Sequence, residues 1–146
     1  MITKFCGTFQ NHEKRISMAK ILVIDDDKST TQLLKIILSK DKHEVTTVNN
    51  SEDSLSTALL HNPDLILLDL MMPRVNGLEI CKNLRAKSQF TQVPIIFFTS
   101  SGNIKEKVAA FDSGATDFIT KPVHPGELKI RIKALLSRSE YINESK

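Results

Sequence analysis

Long apolar runs are missing from this sequence of 146 residues: no stretch approaches the roughly 20 residues that a membrane span requires. The N-terminus also lacks the apolar core of a secretory signal. Cysteine is scarce, since Cys6 and Cys81 are the only two, far apart and in no metal-ligand spacing. A reducing cytoplasm is therefore the expected compartment. Excess charge is small as well: Lys+Arg 20 against Asp+Glu 17 leaves +3, too little by itself to indicate direct nucleic-acid binding. Internal repeats and low-complexity segments are absent. What remains, 40% hydrophobic and 25% charged residues, is the composition of one soluble domain with a sizeable core.

Residues 1–17 follow neither a helical nor a strand period and end at a second methionine, Met18. We expect an N-terminal extension there, either lightly docked or the product of an upstream start, a domain over 18–140 and a tail over 141–146. From Met18 onward two kinds of pattern alternate. Short apolar or β-branched runs at 20–24, 44–48, 64–68, 94–98 and 117–120 predict strands. Between and after them, helical spacing predicts helices over 30–40, 51–60, 77–87, 104–114 and 125–138. Ser51 is the expected N-cap of the second helix, Gly114 the C-cap of the fourth, and Pro125 lies near the start of the fifth.

The first, third and fourth strands are continuous apolar runs, so both of their faces require cover. Such strands belong at the centre of a parallel sheet with helices on both sides. In an open parallel sheet, ligands bind at the carboxyl ends of the strands. The first strand ends in Asp25-Asp26-Asp27, the third in Asp69, the fourth in Thr99-Ser100-Ser101, and the fifth is followed by Lys121-Pro122. Carboxylates gathered at one edge repel one another unless a cation holds them. An oxygen-only donor set without His or Cys suits a hard ion, magnesium most readily.

The segments ILVIDDD, LILLDLMMPRVNGLEI, PIIFFTSSG and DFITKPV resemble the receiver domains of two-component response regulators, and the likeness runs from Met18 to about Arg138. It implies a doubly wound, flavodoxin-like α/β fold with strand order 2-1-3-4-5. Asp69 is then the phosphoacceptor, taking a phosphoryl group from a phosphohistidine on a histidine kinase or histidine phosphotransfer protein. Asp26 would bind Mg2+ directly, with Asp25 beside it or through water, Asp69 sharing the ion and the Met71 backbone carbonyl completing the set. Lys121 would neutralise phosphoryl oxygens. Thr99 would bond the phosphorylated side chain, and Phe118, in the switch aromatic position, would turn inward and remodel the face of the fourth helix, fifth strand and fifth helix for a downstream protein. Many members of the family carry tyrosine where this chain has Phe118, so a phenol hydrogen bond is lost. Met71 and Ser101 occupy positions that tune phosphoryl lifetime in the family.

Plainer roles compete for the same residues. Asp27 reads as a structural cap, Cys81 as a small core residue, and Lys129, Arg131, Lys133 and Arg138 as a solvated helix face. His12, His43, His61 and His124 stand apart, and none is read as a ligand or base. Three alternatives stay open at the level of the whole protein. One is a receiver fragment of a larger regulator, with SRSEYINESK opening its linker. Another is a magnesium-dependent aspartyl phosphohydrolase, disfavoured because Met71 stands where its second acid belongs. The last is a receiver that never takes phosphate. The expected protein is a signalling module rather than an enzyme, without a membrane or nucleic-acid partner of its own, a monomer or a phosphorylation-linked dimer.

Overall fold

Three strands of this chain are apolar on both faces, and their position follows from that. In the computed structural model, which describes residues 18–144, β1 (Lys20–Ile24), β3 (Leu65–Asp69) and β4 (Ile95–Thr99) are the inner strands of a five-stranded sheet. β2 (Glu44–Val48) and β5 (Asp117–Thr120) form its edges, giving the order β2-β1-β3-β4-β5 with every pairing parallel. β3 and β4 are buried at every position, as continuous apolar strands must be. The extension expected over residues 1–17 lies outside the described residues.

Five helices cover the sheet: α1 (Lys28–Lys40), α2 (Ser54–His61), α3 (Gly77–Arg85), α4 (Ile104–Asp112) and α5 (Pro125–Glu144). Strand alternation divides the core in two. Leu22, Ile24, Ile66, Leu68 and Phe97 pack with Ala58, Ile80, Leu84 and Ala110 of α2, α3 and α4. On the other face Ile21, Val23, Leu67 and Phe98 pack with Leu34, Leu38, Leu128 and Ile132 of α1 and α5. Among the described residues no helix is long and apolar enough to cross a membrane.

Several boundaries differ from the sequence expectation, each for a local reason. α1 starts two residues early because Asp27 caps it, accepting from the Ser29 N–H at 2.9 Å and the Ser29 hydroxyl at 2.6 Å. Ahead of α2 the cap is Asn50 instead of Ser51; Asn50 accepts from Glu52 N–H, and a 3-10 turn over Ser51–Asp53 precedes the helix. β4 starts after Pro94, which has no N–H for the ladder but whose carbonyl accepts from Ile66. α5 runs past Arg138 to Glu144, since no Gly or Pro follows Gly126 to stop it.

The end of the sheet remote from the strand carboxyl termini is tied by one side chain. Arg85, the last residue of α3, donates from Nε to Gly114 O at 2.9 Å and from Nη1 to the carbonyls of Phe90 and Val93, both at 2.6 Å. Its Nη2 reaches Thr116 Oγ1, which in turn accepts from Ile95 N–H, where β4 begins. Gly114 ends α4 in a Schellman turn: its N–H bonds Phe111 O while the Ala115 N–H bonds Ala110 O. With φ at +112°, and with Arg85 Cγ only 2.7 Å from where a Cβ would stand, this position admits glycine alone. Gly114→Ala should therefore lose about 1–2 kcal/mol to left-handed strain, and more through displacing Arg85. A urea titration followed by circular dichroism checks this, the expected result being a lower midpoint at unchanged slope.

Candidate functional site

Parallel pairing brings the strand carboxyl ends to one edge, and the register fixes which side chains meet there. Ile24 lies opposite Leu68, Asp69 opposite Phe98, and Thr99 opposite Thr120. Beyond β1 the ladder continues for one more bond, Asp25 N–H to Val48 O at 3.0 Å, and the chain then turns. The turn is closed by Asp25 itself, whose Oδ1 accepts from Asp27 N–H at 3.1 Å. Asn49, the residue after β2, braces it, donating through Nδ2 to Asp25 O and to Thr31 Oγ1, both at 2.9 Å.

Asp69 is the last residue of β3 and retains 4% of its surface. Its Oδ1 accepts from Met71 N–H at 3.3 Å. The chain then loops back so tightly that a Cβ on Gly77 would collide with the Asp69 carbonyl oxygen, while Gly77 N–H bonds Leu70 O at 3.1 Å. Here glycine serves close approach, not left-handed backbone. Lys121 reaches the site from beyond β5. Its N–H bonds Thr99 O at 2.7 Å, its bond to Pro122 is cis, and its Nζ lies 3.0 Å from Asp25 Oδ2 and 3.7 Å from Asp69 Oδ1. The ammonium also sits 4.9 Å from the Phe98 ring centroid.

One carboxylate oxygen each of Asp25, Asp26 and Asp69 lies within 4.8 Å of the others. Asp25 and Asp69 are buried, and Asp26 faces solvent. The single ammonium does not balance them. Burial, and next the Asp25 charge, push the Asp69 carboxyl up to about 7 against the pull of Lys121. Asp26 is also raised, by partial desolvation first and then by Asp25. Three converging oxygen donors at this spacing, two of them buried, fit a hard divalent cation, which would relieve the repulsion that proton retention otherwise relieves.

The remaining expected residues divide into those near and those apart. Thr99 is fully buried at the end of β4, and its Oγ1 accepts a long 3.4 Å bond from Ser101 N–H. Met71 is adjacent, with an exposed side chain. Phe118 lies away from the carboxylates, already inward and 8% exposed in the core under α4, with the Lys107 ammonium 5.7 Å from its ring. Cys81 is a core residue. His43 accepts from Ala19 N–H and His124 from the N–H groups of Gly126 and Glu127, so both hold backbone; His12 lies outside the described residues. Two contributors carry no mark of their role in the sequence: Asn49, which follows the second strand, and Gly77, the first residue of the third helix.

The unfolded chain releases the Asp69 proton near 3.8, whereas the folded, metal-free chain keeps it to about 7. Between those values the folded state binds more protons, so stability should fall as pH rises from about 4 to about 7 and then level off. Denaturation in chelator across that range checks the slope, and Asp69→Asn should flatten it.

Comparison with known proteins comes to the same place. The family model described as the response regulator receiver domain matches residues 21–133. The alkaline phosphatase synthesis transcriptional regulatory protein PhoP of Bacillus subtilis is 41% identical over 121 residues, covering 83% of this chain and 50% of its own length. Response regulator ArlR of Staphylococcus aureus is 41% identical, covering 83% of this chain and 54% of its own. This chain thus spans about half the length of the curated relatives it matches. Among solved structures, chemotaxis response regulator CheY4 of Vibrio cholerae superposes with a TM-score of 0.77 at 30% identity, covering 81% of this chain and 98% of that one. The activated N-terminal receiver domain of Klebsiella pneumoniae RstA gives 0.75 at 29% identity, covering 80% and 97%.

Proposed function

The chain belongs to the response regulator receiver domains, and from that premise we propose that it is a phosphoacceptor that takes a phosphoryl group onto Asp69 from a phosphohistidine. The observation that carries this is a buried carboxylate whose Oδ1 stands 3.7 Å from an ammonium and beside two further carboxylates. An Asp69 oxygen forms a bond to phosphorus as the phosphorus–nitrogen bond of the donor breaks. The electron pair stays on the imidazole nitrogen, and the ring leaves neutral where its other nitrogen carries the proton. Lys121 neutralises charge on the phosphoryl oxygens from the side it already occupies. Asp25, Asp26, Asp69 and the Met71 carbonyl would hold Mg2+, which when bound offsets the negative charge of the carboxylates and phosphoryl group. The raised position of Asp69 leaves part of the metal-free chain protonated and non-nucleophilic at neutral pH, and a bound cation would favour the reactive carboxylate.

Thr99 then acts as the sensor, its hydroxyl held among the described residues by the long bond from Ser101 alone. Phosphorylation draws it towards the new group and fixes Phe118 in the inward position. The surface that changes is that of α4, β5 and α5. It carries an exposed row of Ile104, Val108 and Phe111 on α4 beside the Asp117–Arg131 pair, whose two contacts are 2.9 and 2.8 Å. Such a mixed apolar and charged face suits a downstream protein, or a second copy once phosphorylated. The receiver unit spans 18–140 and works in the cytoplasm, and an output domain on a longer form of the chain is consistent with the length of the relatives.

Incubation with acetyl phosphate and Mg2+ should add one acid-stable, base-labile phosphate, read by intact mass. Asp69→Asn should abolish the gain and a chelator should suppress it; uptake that survived both would sink the assignment. In Lys121→Ala, cation affinity measured by calorimetry should be retained or rise, since the lysine is no ligand and its charge opposes the cation, while phosphate gain should fall by roughly tenfold or more.

A further inference from the structure

A cleft of about 260 Å3 opens beside the acidic cluster, lined by residues of the loops that follow β1, β2 and β3. Asp26 forms one wall, Asn49 and Asn50 a second, and Met72 and Arg74 a third. The volume suits a small ligand. Its amides are largely committed: Asn49 Nδ2 serves Asp25 and Thr31, and Asn50 Oδ1 accepts from Glu52. Arg74 is the one cation among the lining residues.

Two features of Arg74 go beyond what a solvated surface arginine needs. Its backbone is left-handed, with φ at +71°, in a three-residue turn closed by Val75 N–H on Pro73 O at 2.8 Å. Turns of this hand are rare and strained for a residue with a Cβ, and such strain collects at ligand sites. Among the described residues its guanidinium makes one polar contact, Nη1 to Glu52 Oε1 at 3.2 Å, with the two side chains 75% and 58% exposed. A one-point pair in open water is weak. It also occupies only one of five donors.

We propose that Arg74 binds and orients the phosphoryl donor, releasing Glu52 to hold the non-bridging phosphoryl oxygens of the incoming group. The inference rests on Asp69 being the acceptor. An anionic donor must approach three carboxylates, and Lys121 is already shared between two of them. A second cation on the open side of the cleft offsets that repulsion and steers the approach. Guanidinium geometry matches two phosphoryl oxygens at once, which lysine cannot reproduce. Glu52 is the resting place of the arginine and its competitor. The ligand class is an anionic phosphoryl group on an acyl or nitrogen leaving group.

Initial rates of phosphate gain with Mg2+, read by intact mass, give a half-saturating donor concentration and a maximal rate. With acetyl phosphate, Arg74→Ala should raise half-saturation about three- to fivefold, with the maximal rate changed less than about twofold. Arg74→Glu should raise it further, Arg74→Lys should fall between, and Glu52→Gln should lower it. High salt should shrink the difference between wild type and Arg74→Ala. Phosphoramidate should give the same order; an effect confined to acetyl phosphate would place Arg74 on the leaving group and overturn the assignment. Equal half-saturation in wild type and Arg74→Ala would overturn it too, as would Glu52→Gln moving in the same direction as Arg74→Ala. A wild type that gains no phosphate from either donor sinks the acceptor reading and this inference together, a result distinct from the others.

Discussion

Two buried carboxylates, Asp25 and Asp69, share one ammonium, with a third carboxylate beside them, and the architecture follows from that imbalance. Like charges about 4–5 Å apart at an effective dielectric near 20 repel by roughly 3–4 kcal/mol. That is a sizeable fraction of the stability of an ordinary domain, about 5–15 kcal/mol. Lys121 relieves part of the repulsion, and the proton that Asp69 retains relieves more. A site of this kind persists only where the surrounding structure is stiff. Here that stiffness comes from inner strands sealed on both faces by apolar side chains.

The sheet does more than support the site, since its parallel register is what assembles it. Each site residue stands at or just past a strand end, and crossovers return every strand in the same direction, so the carboxyl ends gather at one edge. Placement then depends on the loops. Asp25 closes its own turn and is braced by Asn49, and the Asp69 loop folds back against a glycine that cannot carry a side chain. Lys121 is anchored to β4 through the Thr99 carbonyl, so the cation and the buried hydroxyl are mechanically joined.

The parts of this arrangement that were legible in the sequence are those carried by local patterns. The apolar runs gave β1, β3 and β4 their central positions, and the acidic and hydroxylic residues ending those runs marked the site. Asp27 and Gly114 were readable because capping chemistry is local. Asn49 was not, since its role depends on contacts with Asp25 and Thr31 on another element. Gly77 was opaque for the same reason: its constraint is the Asp69 carbonyl, brought close only by the folded loop. Ser51 lost the cap to Asn50 because two adjacent residues could serve, and the 3-10 turn that decides between them has no clear sequence mark. Arg85 carried no local signal, because its three carbonyl partners and the Thr116 hydroxyl lie in two loops, before β4 and before β5.

The two ends of the molecule are held by forces of different strength, and α4 spans the difference. At its C-terminus the Schellman turn and the four Arg85 bonds fix Gly114 and Thr116. At its N-terminus the Asn103 cap leads directly into the loop after Thr99, where the long Ser101 contact is the link to the Thr99 hydroxyl. The helix buries little, with Ala110 its one fully buried residue. One oxygen of Glu106, in its first turn, has no hydrogen-bond partner among the described residues. A displacement that starts at Thr99 therefore meets less resistance at Ile104 than at Phe111. A helix pinned at one end and loose at the other follows a shift of the loop after Thr99 most at Ile104 and least at Phe111.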